Sequence, residues 1–151
     1  MSTASPSTAI FAASVMARLV SGSSAGRLPE CKVSLAPRVC EAENGEISPA
    51  LFAVPTSLST DRATRASVRR QVSVALVLLA PVANEAAARE LLEDFQAAAD
   101  ALLASSPSEA GVAFLSYDAD ELYDVELLVE QHIFRAQMDF SCLKMDELPC
   151  A

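Results

Sequence analysis

The sequence predicts a single α+β domain in which a mostly antiparallel sheet of about four to five strands packs with two amphipathic helices. Three observations support this prediction. The 151 residues are an ordinary length for one domain, 52% of them are hydrophobic, and the apolar periodicity alternates between the helical and the strand pattern. Residues 1–151 are therefore treated as one domain, and the small polar residues 1–5 are expected to be mobile.

Two segments have the apolar spacing of an amphipathic helix. The first begins at Pro6 and Ser7 and ends near Val20. The second follows Asn84, a good N-cap residue, and ends near Ala104. Each segment has an apolar stripe opposite a polar face, so we expect both helices to pack against the same sheet.

The clearest strand is predicted at residues 68–79, which become apolar on both faces, as in a central strand covered on both sides. A second long strand is predicted at residues 131–143, where apolar and polar residues alternate. Shorter strands are predicted at residues 31–35, 50–54 and 112–117. The dipeptide Asn44-Gly45 favours a tight turn, so we expect the strands at 31–35 and 50–54 to form a hairpin.

Two charged segments lie between the predicted helices and strands. Residues 57–66 are polar and precede the long strand. Residues 118–130 are acidic and irregular, with room for one helical turn.

Composition excludes several functional classes. The net charge of −9 argues against a general binder of nucleic acids or anionic membranes, because both need an excess of basic residues. The longest apolar run, residues 72–82, is shorter than the roughly 20 residues that span a bilayer. The stretch 9–20 lacks a basic start and contains Arg18, unlike a signal peptide. We therefore expect the chain to remain in the cytoplasm of the cell that makes it.

No set of residues suggests catalysis. The spacing of Cys31, Cys40, Cys142 and Cys150 matches no zinc pattern, so free thiols are expected. The single histidine, His132, opens the last predicted strand and is interpreted as structural or surface-exposed. None of the four glycines belongs to a phosphate-binding loop. The sequence predicts no catalytic residues, no metal and no cofactor, and an enzyme is the least favoured interpretation.

The acidic segment is not interpreted as a calcium site. Counted from Asp118, the sixth position of a calcium loop is Tyr123 instead of the required glycine. A solvated or partner-facing loop fits better. Its candidate partner-facing residues are Asp118, Asp120, Glu121, Asp124 and Glu126.

The charges are distributed unevenly along the chain. Four of the eleven basic residues lie between Arg62 and Arg70, whereas six acidic residues lie between Asp118 and Glu130. One interpretation is two solvated loops. The other is a pair of complementary patches on different edges of the domain, which would suit a head-to-tail contact between subunits. Arginine suits such a contact because its planar guanidinium pairs with carboxylates through two hydrogen bonds.

An ordered series of features spans residues 50–143. It comprises the extended segment 51–55, the charged segments 61–65 and 69–74, the amphipathic helix 87–103, the segment 121–124 and the closing strand 133–140. This series resembles the tail terminator proteins of long-tailed bacteriophages. One position departs from the family pattern, because Ala66 stands where family members commonly have glycine.

The resemblance implies a structural role in a virion. Tail terminators are small α/β domains that form a hexameric ring on the head-proximal end of the tail tube, stop tube polymerisation and meet the head-completion or neck proteins. DNA passes through the ring. The resemblance implies a homo-hexamer in the tail or neck, assembled in the host cytoplasm, with the tail tube protein and neck proteins as partners and no membrane contact. The implied subunit or tail-tube interface contains Asp61, Arg62, Arg65, Arg69 and Arg70.

Two alternatives remain open from the sequence. The chain could be another head–tail connector or neck protein. It could also be a non-viral protein-binding module with the same fold.

Overall fold

The computed structural model describes residues 8–23, 28–36, 40–41, 47–105 and 111–147. These residues form three helices and seven strands. In chain order they are α1 (Thr8–Ser23), β1 (Cys31–Val33), β2 (Cys40–Glu41), β3 (Ile47–Ser48), β4 (Ala50–Arg62), β5 (Ser67–Pro81), α2 (Glu85–Ala104), β6 (Val112–Asp118), α3 (Val125–Gln131) and β7 (Ile133–Glu147).

Five strands form the main sheet, in the order β1-β4-β5-β7-β6. The β1–β4 pair is parallel, and the other three pairs are antiparallel. The strands β2 and β3 form a separate two-stranded antiparallel sheet. The predicted α+β class, with a mostly antiparallel sheet and amphipathic helices, is confirmed.

The larger core lies between one face of the sheet and the helices α1 and α2. Its largest fully buried side chains include Met16 on α1, Phe95 on α2, and Phe134 and Phe140 on β7. The helix α2 begins where the sequence indicates, because the side chain of Asn84 accepts a hydrogen bond from the backbone N–H of Ala87 at 2.9 Å. Its apolar stripe, which includes Phe95, faces this core.

The opposite face of the sheet carries a smaller apolar cluster. It includes Phe52 and Val54 on β4, Ala75 and Val77 on β5, and Ile133 on β7. Residues 74–80 of β5 are therefore buried on both faces, with β4 and β7 hydrogen-bonded on either side. The prediction of a central strand covered on both faces is confirmed.

The predicted hairpin between residues 31–35 and 50–54 is wrong. Those strands pair in parallel, with Cys31 opposite Leu51, whereas the antiparallel pairing around Asn44-Gly45 joins Cys40 to Ser48. Parallel neighbours need a crossover of about a dozen residues or more, and residues 34–49 provide it. The turn signal therefore belongs to a small ladder inside this crossover; the turn itself lies outside the described residues.

Three other boundaries differ from the predictions. Residues 57–62 belong to β4, because their backbone pairs with β5 although their side chains show no apolar alternation. The acidic segment contains a full helix, α3, and β7 begins at Ile133 after the cap residue His132. The predicted mobility of residues 1–5 and the helix start at Pro6 lie outside the described residues, as does Cys150.

Candidate functional site

The segment that carries four arginines is the outer part of the hairpin between β4 and β5, and β7 pairs with its β5 strand as far as Ser67. The register between β4 and β5 shifts between Pro55 and Ser57, which marks a bulge, and bulges bend a strand and increase its twist. At this bulge the hydroxyl of Thr56 donates to the backbone oxygen of Ser73 at 3.1 Å. We call residues 57–73, the part of the hairpin beyond the bulge, the arginine arm.

The tip of the arginine arm is a tight turn held by hydroxyl groups. The backbone N–H groups of Ala63 and Thr64 donate to the oxygen of Ser67, at 3.1 and 3.2 Å. The side-chain oxygens of Thr64 and Ser67 are 2.8 Å apart, and the Ala66 N–H donates to the Thr64 hydroxyl. Among the described residues only His132 and Gly111 have positive φ, so this turn does not need glycine at Ala66.

The charged residues of the arginine arm divide between its two faces. Asp61 lies opposite Arg69 on the face away from α1 and α2, and Arg62 and Arg70 share the helix-bearing face. Arg65 lies in the tip. The predicted interface residues therefore surround the arm instead of forming one flat patch.

The interactions within the arginine arm are weak. The Arg69 Nη2 atom is 3.8 Å from Asp61 Oδ2, and both side chains are more than half exposed, so this ion pair stabilises the fold little. The Arg70 Nη1 atom donates to the Thr60 hydroxyl at 3.4 Å. Arg62 and Arg65 form no ion pair with any residue that the structure describes. Both guanidinium groups are exposed and available to carboxylates of another molecule.

The predicted acidic loop becomes the strand end of β6, a short connection and α3. Asp124 is the N-cap of α3: its carboxylate accepts from the Leu127 N–H at 3.1 Å, and its own N–H donates to the Arg135 oxygen at 2.9 Å. Asp124 thus has a structural role within the chain. The other four predicted partner-facing residues are exposed: Asp118, Asp120, Glu121 and Glu126.

An exposed apolar stripe accompanies these acids. Leu122, Val125 and Val129 are 54%, 58% and 68% exposed, and residues 121–126 line an open depression. This stripe was not predicted from the sequence, although apolar residues at i, i+3 and i+7 within an acidic segment indicate it. We call residues 118–131 the α3 end of the molecule.

His132 connects the α3 end to the sheet. Its backbone has φ 56°, the left-handed conformation of a helix C-cap, and its N–H donates to the Leu127 and Leu128 oxygens. Its own backbone oxygen accepts from the Val82 N–H at 2.9 Å, at the end of β5. These contacts are made by the backbone of His132, and its side chain is exposed.

The structure describes the side chains of two of the four cysteines that are predicted to be free thiols. Cys31 and Cys142 are free and buried, and burial raises the pKa of each thiol to about 12. A thiol with so high a pKa is a poor nucleophile, because the reactive form is the thiolate. Within the described part of the chain, no group of three or more His, Cys, Asp or Glu side chains could hold a metal ion.

The arginine arm and the α3 end lie at opposite ends of the sheet. The strand β7 pairs with β5 over 15 residues, from Pro81 opposite Ile133 beside α3 to Ser67 opposite Glu147 beside the arm tip. At roughly 3.3 Å per residue, this ladder separates the tip of the arginine arm from α3 by about 45 Å. The arginines at the tip of the arm therefore cannot reach α3 within one copy of the chain.

No helix in the described part of the chain is both long enough and apolar enough to cross a membrane. A scan against protein-family models gives no match for this sequence, and a search of curated proteins finds no similar one.

Proposed function

We propose that this protein is a virion structural protein, a tail terminator that forms a homo-hexameric ring at the head-proximal end of a phage tail tube. In this role the ring ends tube polymerisation and provides the surface to which head-completion proteins bind. DNA passes through its lumen as cargo.

The observation that best supports this proposal is the placement of two unlike surfaces at opposite ends of the sheet. A ring of identical subunits uses heterologous contacts, in which one surface of each subunit meets a different surface of its neighbour. The arginine arm carries four arginines and one aspartate, whereas the α3 end carries six acidic residues and no basic one. Each copy therefore has the two complementary surfaces that a closed ring needs.

The position of the resemblance within the fold is a second source of support. The segments that resemble tail terminators fall on β4, the arginine arm, α2, the connection that precedes α3, and β7. Two of these segments, 61–65 and 69–74, lie almost entirely in the arm. The segment 61–65 thus lies in the outer part of the hairpin, where every residue from 56 to 66 is exposed.

Native mass spectrometry and negative-stain microscopy of the purified chain, alone and with tail tubes of the same phage, test the proposal. We expect hexameric rings, either free or only on tube ends, and tubes of uniform length. A chain that stays monomeric or dimeric and leaves tube ends bare would overturn it. Rings that bind the purified neck assembly but never a tube would point instead to a neighbouring neck protein.

A charge-reversal variant tests the role of the arginine arm. In Arg65→Glu with Arg69→Glu, we expect rings to be lost and tail lengths to become uncontrolled, because both changed residues are exposed and carry no core contact. The matched control reverses the same number of charges at exposed residues outside the arm, in Arg18→Glu with Lys32→Glu. Normal tails from the arm variant would contradict the assigned role of the arm.

A further inference from the structure

We infer that the arginine arm of one copy docks on the exposed apolar stripe of α3 in a second copy of the same chain. This inference rests on the proposed function in taking a second copy as the partner, and it specifies which two surfaces meet.

The apolar stripe of α3 has no role in the fold of a single copy. Leu127 and Leu128 of this helix pack against the two apolar clusters, so they attach α3 to the sheet. Val125 and Val129 are one helical turn apart on another side and are mostly exposed. Valine is a poor helix former and short helices are marginal in water, so two exposed valines do not stabilise a seven-residue helix.

The charges around the stripe select its partner. Glu126 and Glu130 are also one helical turn apart and flank the valines, with Glu121 at the edge of the depression. These three carboxylates form no ion pair with any described residue. The nearest basic side chain along the chain, Arg135, is half-buried and donates to Gln137 instead. A partner for this surface must therefore bring both an apolar contact and exposed positive charge.

The arginine arm and the end of β7 that pairs with it supply both. On the face away from α1 and α2, Asp61, Arg69 and Met145 lie in one row across β4, β5 and β7, and Met145 is 51% exposed. Methionine adapts its shape to irregular apolar surfaces, so it can cover valine side chains. Arg65 at the tip and Arg69 beside Met145 can then reach the flanking glutamates, and each guanidinium can pair with a carboxylate through two hydrogen bonds.

Geometry excludes docking within one copy. The arm tip and α3 are at opposite ends of a continuous ladder about 45 Å long. The contact is therefore between copies and is heterologous, with the arm of each copy free to engage the next. Repetition of such a contact gives a ring when the rotation closes and an open filament when it does not.

A charge-swap experiment tests this contact. The first variant carries Arg65→Glu with Arg69→Glu, and the second carries Glu121→Lys with Glu126→Lys. Each variant alone places like charges at every contact, so we expect self-association to weaken at least about tenfold. In an equal mixture, both possible contacts between unlike variants join opposite charges, so assemblies with alternating variants should reform. Sedimentation velocity and native mass spectrometry measure both effects.

The matched control carries both Glu30→Lys and Glu93→Lys, which change two exposed acids outside the α3 end. Mixing this control with the Arg65→Glu, Arg69→Glu variant should not restore association. Failure of the equal mixture to associate, while wild-type chains form rings, would overturn the inference and leave the ring proposal standing. Open filaments of wild-type chains, with restoration on mixing, would support the contact and overturn the ring. Self-association of either variant alone, as strong as that of the wild type, would also overturn the inference.

A second substitution tests the apolar part of the contact separately from the charges. Val129→Ser removes most of one exposed apolar side chain, and we expect weaker self-association with an unchanged melting temperature, because Val129 lies outside the core. Leu35→Ser is the matched control. Leu35 is 72% exposed and follows β1, which is at one edge of the sheet and three strands away from β7, the strand that follows α3. Equal self-association of the Val129 variant and wild type would contradict docking on the stripe.

Discussion

The two halves of β5 share one strand but have opposite surroundings. Residues 74–80 are buried on both faces between two apolar clusters, whereas residues 67–73 lie in the arginine arm, where only Val68 and Val72 are buried. Both halves pair with β4 and with β7. Backbone pairing therefore extends the sheet in both halves. Side-chain burial, however, stabilises mainly residues 74–80 and leaves most side chains of residues 67–73 available for contacts with other molecules.

The largest expected difference between the halves is in stability. Leu76→Ala removes a fully buried side chain from the larger core, and we expect a loss of about 2 to 5 kcal/mol in the free energy of unfolding. Gln71→Ala, five residues earlier and exposed, should change it by less than about 0.5 kcal/mol. Urea unfolding of both variants measures this contrast. Similar losses in the two variants would mean that exposed side chains of the arginine arm stabilise the fold as much as a buried core side chain does.

The buried thiols provide a pH-dependent test of burial in the larger core, to which both Cys31 and Cys142 belong. The pKa of Cys31 and of Cys142 is raised to about 12 in the fold, from about 9 when unfolded, because burial disfavours the thiolate. The folded state thus holds its protons more tightly. The associated stability is complete below pH 9 and is lost as the pH rises toward 12. At pH 11 we expect a loss of about 2 to 3 kcal/mol per thiol.

The double variant Cys31→Ala with Cys142→Ala isolates this effect. It should lose much less stability than the wild type between pH 8 and pH 11 in urea unfolding, although it starts from a lower value. The same loss in both proteins would show that another group, such as Tyr117, controls the alkaline response. The pKa of Tyr117 is itself raised, chiefly by its hydrogen bond to Asp100.

The elements that the sequence predicted well are those with one buried face. The alternation in β7, the stripe of α2 and the doubly apolar run in β5 each follow from burial, and the structure has all three. The outer part of β4 was missed because residues 57–62 are exposed on both faces, so no hydrophobic pattern marks them. Only backbone pairing with β5 makes that segment a strand, and pairing partners are not visible in a single sequence.

The candidate site was predictable in its charges but not in its arrangement. The arginine and acidic clusters are evident from residue order alone. Their placement at opposite ends depends on the register of β5 with β7, which the sequence does not specify. The parallel pairing of β1 with β4 was missed for a related reason. The turn signal at Asn44-Gly45 indicates only that the chain reverses there, and it does not determine which strands pair beyond the turn.

The smallest expected effect on stability comes from the only described ion pair of the arginine arm. Arg69→Ala removes the 3.8 Å contact with Asp61, and we expect a change of less than about 0.5 kcal/mol in the free energy of unfolding, because both side chains are solvated. The same variant should nevertheless weaken self-association. The difference in association between variant and wild type should be smaller in high salt, because screening already reduces the contribution of the Arg69 guanidinium in the wild type. Urea unfolding and sedimentation velocity at two salt concentrations separate the two readouts. A large loss of folding stability with unchanged association would assign Arg69 to the fold, and the arm would then belong to the body of the sheet.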